Sequence, residues 1–344
     1  MALKKIVWLQ IYFFNGVQHY RMHFENRHKQ IVFMFSGQGT QYYHMGKDLY
    51  EHQPVFMQWM NSLDSYVQYL IGTSVLNQIY DNGKIKGYPY EQPMLSSLAI
   101  FMVEYSLAQV LIDKKIYPDF LLGSSMGEFA SSVISGVMGY EVALNILVQK
   151  SKIMGKYPLN GGMIAVFDNP NLYNDIPVMN RNSDLAAINF NKHFIIAGKD
   201  KNLDQIISFL DSDNIFYQKL DIAGAYHSSL LDIAESDYKS FLETLSFNHP
   251  TLPYISCSSG GRVYKFHKYH LWNVIRKPIF FEKTIKGMEK DMGNLVYLDL
   301  GPSGTLSTFI KYILQKDSQS ENYIILSPFG KDLKNLGKVE SLLS

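Results

Sequence analysis

An α/β protein is expected: a large domain on a parallel sheet, interrupted by a small α+β unit. Two observations predict it. Short, continuously apolar runs end in glycine turns and alternate with long helical stretches, the pattern of buried parallel strands joined by crossover helices. One internal stretch has a different texture, with short strands close together and a single amphipathic helix. Ile31 to Phe35 ("IVFMF") is bounded by Ser-Gly and reads as the first buried strand. Leu95 to Ile112 is apolar at helical spacing, with Pro93 near its start, where proline is tolerated. "DFLLG" (119–123) is the next strand, and "GEFASSVISGVMG" follows as a helix whose small residues allow close packing on a sheet. Between Gly161 and Gly224, "GMIAVF", "LAAINF", "HFIIAG" and "FYQKLD" read as strands, with "KNLDQIISFLDSD" a helix before the last of them. Long-helix texture returns from His227, and "LVYLDLGPSG" supplies a late buried strand and turn. The expected division is an extension over 1–30, a large α/β unit over 31–157 and 225–344, and a small unit over 158–224.

The chain has 344 residues, more than one compact core normally holds, which agrees with two units. Charged residues are balanced to a net +1, so nothing marks a nucleic-acid partner. No run of apolar residues is long enough to mark a membrane span, and no Cys/His cluster has zinc spacing. The single cysteine, Cys257, excludes an internal disulfide framework, suits a reducing cytoplasm and reads as a small buried hydrophobe. The N-terminal "MALKKIVWLQIYFFNG" has the basic and apolar parts of a secretory signal, but His19, Tyr20, Arg21 and His23 follow where a cleavage site would need small residues. The first 30 residues are therefore read as a poorly ordered extension, with Met22 an alternative start.

Chemistry concentrates in two glycine turns. Gly123-Ser124-Ser125-Met126-Gly127 is G-x-S-x-G between a predicted strand and a predicted helix. A serine hydroxyl is a weak nucleophile, and this turn supplies an exposed hydroxyl, glycines that permit a strained backbone, and helix N–H groups aimed at the reaction centre. A Gly/Ser-rich turn without chemistry has the same composition, so the motif alone leaves both readings open. The second turn, Ser36-Gly37-Gln38-Gly39-Thr40-Gln41, closes the first strand in "FMFSGQGTQ" and is followed by "MGKDLY".

Together these motifs resemble the malonyl-CoA:acyl-carrier-protein transacylase family, which includes the acyltransferase domains of fatty-acid and polyketide synthases. The resemblance runs on through "YEQPMLSSLAIFMVEYSL", "GGMIAVF", "LAAINFNKHFIIAGK", "AYHSSLL", "RKPIFF" and "YLDLGPSGTLS", leaving out only about the first 30 residues. It implies an α/β-hydrolase-like large domain with a ferredoxin-like small one. It implies that Ser125 is acylated, that His227 is the general base and acid, and that a backbone carbonyl at Phe280 orients the imidazole in place of a carboxylate. The oxyanion hole would be the N–H groups of Gln38 and Met126, and the side chains of Gln38, Gln92 and Asn189 would line the pocket. The implied reaction is ping-pong: a thioester acylates Ser125, then a carrier-protein thiol or water removes the acyl group. It needs no metal or bound cofactor. The implied partner is an acyl carrier protein with its phosphopantetheine thioester, with acyl-CoA as a further donor.

Two positions depart from the family. Ser124 stands where histidine usually precedes the nucleophile, changing the pocket wall. Malonyl-using members carry an arginine 25 residues after the serine, whose planar fork clamps the free carboxylate; here the position is Lys150, with Lys152 close by. An ammonium supplies charge without the fork. If Lys150 is merely a solvated helix residue, the pocket has no clamp at all. Relatives lacking the arginine include discrete acyl hydrolases of polyketide systems. The expectation is thus an enzyme acting on non-malonyl acyl thioesters of carrier proteins, by hydrolysis or transfer. The alternatives are a malonyl transferase using Lys150 or Lys152, a catalytically idle scaffold, and an unrelated α/β-hydrolase, which would leave the GQG turn unexplained.

Overall fold

The computed structural model describes residues 6–14, 17–24, 29–90, 92–158, 160–222 and 224–343. A six-stranded sheet forms the body, in the order Gly261–Val263, Tyr254–Ser256, Phe120–Gly123, Gln30–Phe35, Leu295–Asp299, Glu321–Ile324. Only the first pair is antiparallel; the other four pairings are parallel. Successive side chains of a strand face opposite sides, and here both sides are covered. Phe33, Phe35, Leu121 and Leu298 pack into one apolar cluster, while Val32, Met34, Leu122 and Tyr297 pack into another. That is why the strands read as unbroken apolar runs rather than as alternation.

The helix Pro93–Asp113 runs through the first cluster, with proline in its opening turn. By length and composition it could cross a membrane, but every residue of its apolar window is buried in the fold. It is apolar on all sides because it is enclosed on all sides.

The smaller sheet has five strands, in the order Ile279–Phe280, Asp184–Phe190, His193–Gly198, Gly162–Val166, Tyr217–Lys219. Four come from the predicted insert and pair antiparallel. The helix Asp200–Ser212 packs Leu203, Ile206 and Leu210 onto Ile164, Val166, Phe194 and Ile196. The two-residue strand Ile279–Phe280 comes from the returning chain and pairs in parallel with Ala187 and Ile188, tying the two units together. The N-terminal segments Ile6–Phe14 and Val17–Phe24 form a separate antiparallel pair, so the described part of the extension is a two-stranded sheet and not the poorly ordered segment expected. The architecture is the α/β-hydrolase-like body with a ferredoxin-like subdomain that the resemblance implied.

Candidate active site

Ser125 sits between the strand Phe120–Gly123 and the helix Gly127–Ile134, with φ at 54°. A non-glycine residue in the left-handed region costs on the order of 1–3 kcal/mol and persists only where its surroundings enforce it. Two glycines here do so by lacking a side chain. A Cβ on Gly127 would stand 2.1 Å from the carbonyl oxygen of Phe35, and one on Gly123 would stand 2.5 Å from the Cα of Glu128. The turn is thereby pressed against the end of the first strand, and Ser124 N–H donates to Phe35 C=O at 3.0 Å.

His227 is buried and also left-handed, with φ at 58°. Its Nε2 lies 2.8 Å from Ser125 Oγ, within reach of the hydroxyl proton. Its Nδ1 lies 2.8 Å from the carbonyl oxygen of Lys277, which fixes the tautomer: Nδ1–H donates to the carbonyl and Nε2 accepts from the serine. The orienting carbonyl is thus three residues before Phe280, whose own carbonyl accepts from Thr284. The reason is that Lys277 is the C-cap of the helix His270–Arg276 in extended conformation, so its carbonyl turns out of the helical direction and is available to the imidazole. The same end also receives the backbone of His227, whose N–H donates to Ile275 C=O at 2.9 Å. Burial pushes the imidazole down to about 4, against the opposing pull of the Lys277 carbonyl, so it is neutral at pH 7 and free to accept a proton.

The GQG turn lies directly opposite. A Cβ on Gly37 would come within 2.9 Å of Ser125 Cβ, so glycine is needed for this approach. Among the described residues, neither Gln38 N–H nor Met126 N–H donates to another protein group, the condition an oxyanion hole requires. The Gln38 side chain turns away to Pro93 C=O (3.2 Å) and Ser96 Oγ (3.4 Å). Below the turn, the buried carboxyl of Glu104 accepts from both Ser36 N–H and Ser36 Oγ–H, and burial holds its pKa well above the usual carboxylate range.

The other predicted residues divide. Asn189 is buried, lines the cavity and donates Nδ2–H to His193 Nδ1 at 3.0 Å. Ser124 lines the cavity as well. Gln92 does not: it is the exposed N-cap of the helix that Pro93 opens, in extended conformation, and its side chain stays outside the cavity wall. Lys152 is exposed near the end of the helix Tyr140–Met154, which also carries Lys150.

Lys150 is the main surprise. It is 2% exposed, so the reading as a solvated helix residue is overturned. Yet it does not line the cavity. Tyr226 does, and the Lys150 ammonium lies 5.3 Å from the centre of the Tyr226 ring. Burial lowers the lysine to about 8 and raises the tyrosine to about 12, so the cavity meets a neutral phenol.

The cavity at Ser125 and His227 measures about 710 Å³. Its polar side is the GQG turn and the segment from Lys86 to Tyr90. The other side is aromatic, and sequence reasoning missed it. Phe190 and His193, on facing hairpin strands, stack with ring centres 5.3 Å apart. Phe309 and Tyr312, from the helix Thr305–Ile313, join them, with Tyr312 stacked on Phe190 at 4.6 Å. That helix is seated by buried Asp299, which accepts from Gly301 N–H and Ser307 N–H. Only the meeting in space of residues near 190 and 310 creates this wall. Tyr226, next to the histidine in "GAYH", could have been suspected from position alone.

The chain is similar to known proteins over most of its length. The acyl transferase domain family model matches residues 32–343. The polyketide biosynthesis acyltransferase homolog PksD of Bacillus subtilis is 42% identical over 90% of this chain and 95% of its own length. The homolog BaeD of Bacillus velezensis is 39% identical over 91% of this chain and 97% of its own. Among solved structures, the acyl transferase domain of SpnD superposes with a TM-score of 0.83 at 21% identity, over 92% of this chain and 76% of that one. The MCAT of Streptococcus pneumoniae gives 0.75 at 22%, over 91% of this chain and all of that one. With its glycine-enforced serine turn, its carbonyl-held histidine and the two-sheet fold beneath them, the chain belongs to the acyl transferase domain family.

Proposed function

We propose that this protein is a cytoplasmic enzyme of polyketide biosynthesis that removes uncharged acyl groups from carrier-protein thioesters through an acyl-Ser125 intermediate. Ser125 Oγ attacks the thioester carbonyl and passes its proton to His227 Nε2. The N–H groups of Gln38 and Met126 hold the tetrahedral oxyanion. The imidazolium, held at the helix end by Lys277, gives the proton to the departing thiol. Water, or the thiol of a second carrier, then repeats the steps on the acyl-serine ester with the histidine again as base.

The observation carrying the choice of substrate is Lys150, buried behind Tyr226 and absent from the cavity wall. A malonyl carboxylate reaching Tyr226 would meet a phenol ring and lose its hydration with no charge partner at that position, a disfavoured exchange; the lining lysine, Lys86, belongs to the polar side of the cavity. The polyketide biosynthesis homologs in two Bacillus species support the polyketide setting. A structural neighbour, a malonyl-transacylase solved in complex with its type II acyl-carrier protein, supports the class of partner. One observation favours the malonyl reading: among the described residues Lys150 has no carboxylate ion pair, so rotation of Tyr226 would present an unneutralised cation.

The deciding experiment is intact-protein mass spectrometry of the enzyme and of carrier proteins loaded with malonyl, acetyl or longer acyl groups, with Ser125→Ala as control. Acyl groups other than malonyl are expected to leave the carrier by way of a Ser125 adduct. Recovery as free acid means hydrolysis, and recovery on a second carrier means transfer. A malonyl adduct on Ser125 that passes to a free carrier would overturn the substrate assignment.

A further inference from the structure

The cavity is larger than a short acyl group requires. Its volume of about 710 Å³ corresponds to roughly two dozen water molecules at ~30 Å³ each. Two chemically different sets of residues line it. Gln38, Gln41, Lys86 and Tyr88 supply amide, ammonium and phenol groups, partners for the amides and phosphate of a phosphopantetheine arm. Phe190, His193, Phe309, Tyr312 and Phe167 supply ring surface and no charge: His193 is held neutral by burial, and Asn189 occupies its Nδ1.

The aromatic set runs from the surface at Phe167, 38% exposed, through a buried centre and out again at Tyr312. Asn189 and His193 are buried, Phe190 is buried beside them, and Tyr312, stacked on Phe190, is 63% exposed. Ring contacts are continuous along this path, from Phe167 to His193 (4.9 Å), to Phe190 and on to Tyr312. Such a wall has an outer end at the surface rather than a closed floor. A chain lying along it would exchange water for ring faces, methylene by methylene, without meeting a stop.

We propose that the Phe190–His193–Phe309–Tyr312 wall is the acyl-chain subsite, a neutral channel open at Tyr312 that selects extended uncharged acyl groups over short ones. This rests on the acyl-Ser125 reading above. Binding of the remote chain is used to position the thioester carbonyl, so selection shows in kcat/KM. Burial of each methylene contributes roughly threefold to fourfold while the chain stays on the wall.

The test measures kcat/KM for acetyl, butyryl, hexanoyl and octanoyl thioesters of N-acetylcysteamine, and for the same chains on a phosphopantetheinylated carrier protein. Wild-type enzyme, Tyr312→Asp and Phe309→Ala are compared; Tyr312 is exposed, so its replacement spares the core. The wild-type rate is expected to climb with chain length, octanoyl exceeding butyryl by about 100-fold where all four added methylenes lie on the wall. Tyr312→Asp should lower the octanoyl-to-butyryl ratio by about tenfold, and Phe309→Ala should lower it too. A flat or falling chain-length profile in the wild type would overturn the proposal. So would variants that slow every thioester by one common factor, because the wall would then seat the pantetheine arm. If no thioester yields an acyl-Ser125 mass, the functional reading itself fails, an outcome distinct from both.

Discussion

Two buried histidines lie in this cavity, in surroundings of opposite kinds. Burial lowers both His227 and His193 to about 4. Around His227 the surroundings are backbone: the Lys277 carbonyl on its ring, the Ile275 carbonyl on its N–H, and a serine held left-handed by glycines. Around His193 they are side chains: an Asn189 amide and the rings of Phe167, Phe190 and Phe309. A neutral imidazole with a free Nε2 lone pair facing a hydroxyl is a base. A neutral imidazole accepting an amide N–H at Nδ1 among rings is a wall. The protonation state is shared, and the difference in role comes from what touches each nitrogen.

The largest effect that would break this contrast is loss of the nucleophile. Ser125→Ala should lower turnover by about 10⁴-fold or more and abolish the acyl-enzyme mass; residual turnover within tenfold of wild type would remove Ser125 from the chemistry. Next comes the backbone itself. Gly127→Ala would press a methyl into Phe35 C=O, and should cost at least about 3 kcal/mol in urea-unfolding stability. A variant of wild-type stability would show that the turn is not sterically enforced.

The pH profile sharpens the comparison. A solvent-exposed histidine near 6.5 would lose about tenfold in kcat/KM by pH 5.5. Because burial holds His227 near 4, the acid limb should stay flat past that point and fall only as pH approaches about 4. For stability the sign is the same. Each depressed histidine stabilises the fold fully above 6.5, and its contribution is lost as pH falls from there through about 4.

Lys150→Met gives the smallest expected change. It removes a buried charge, so stability should hold or rise, and the malonyl-to-acetyl rate ratio should move less than about twofold. A drop of about 100-fold in malonyl turnover would identify Lys150 as a working clamp. The acid limb should also shift slightly upward, since the lysine charge helps to lower His227.

What was legible in the sequence follows the same divide. The strand–turn–helix around Ser125, the first parallel strand, the inserted strands and the helix Asp200–Ser212 could be read because local glycines and apolar runs dictate them. Pairing Ser125 with His227 needed the family resemblance, and their 2.8 Å contact agrees. Lys277 was misplaced onto Phe280 because a motif gives a neighbourhood, whereas the carbonyl that points inward is set by where the preceding helix ends. Gln92 was drawn into the pocket because its neighbour Pro93 truly lies close, as the contact from Gln38 records. Lys150 looked ambiguous because helix position alone does not say which neighbour will cover a side chain. The aromatic wall was illegible because its halves are more than a hundred residues apart.

The two-residue strand Ile279–Phe280 has a mechanical consequence. One side of it is paired to Ala187 and Ile188, next to Asn189 and Phe190 in the proposed channel. Its chain begins beside Lys277, whose carbonyl holds the base. The far end of that channel strand, Asp184, grips Ser229 by its N–H and hydroxyl, two residues after His227. The His227 imidazole is therefore tied to the middle and to one end of the strand Asp184–Phe190, like a string stretched over two bridges. In an interior this densely packed, slack at either bridge detunes the base. In the proposed channel, an acyl chain that fills the groove would keep the string taut.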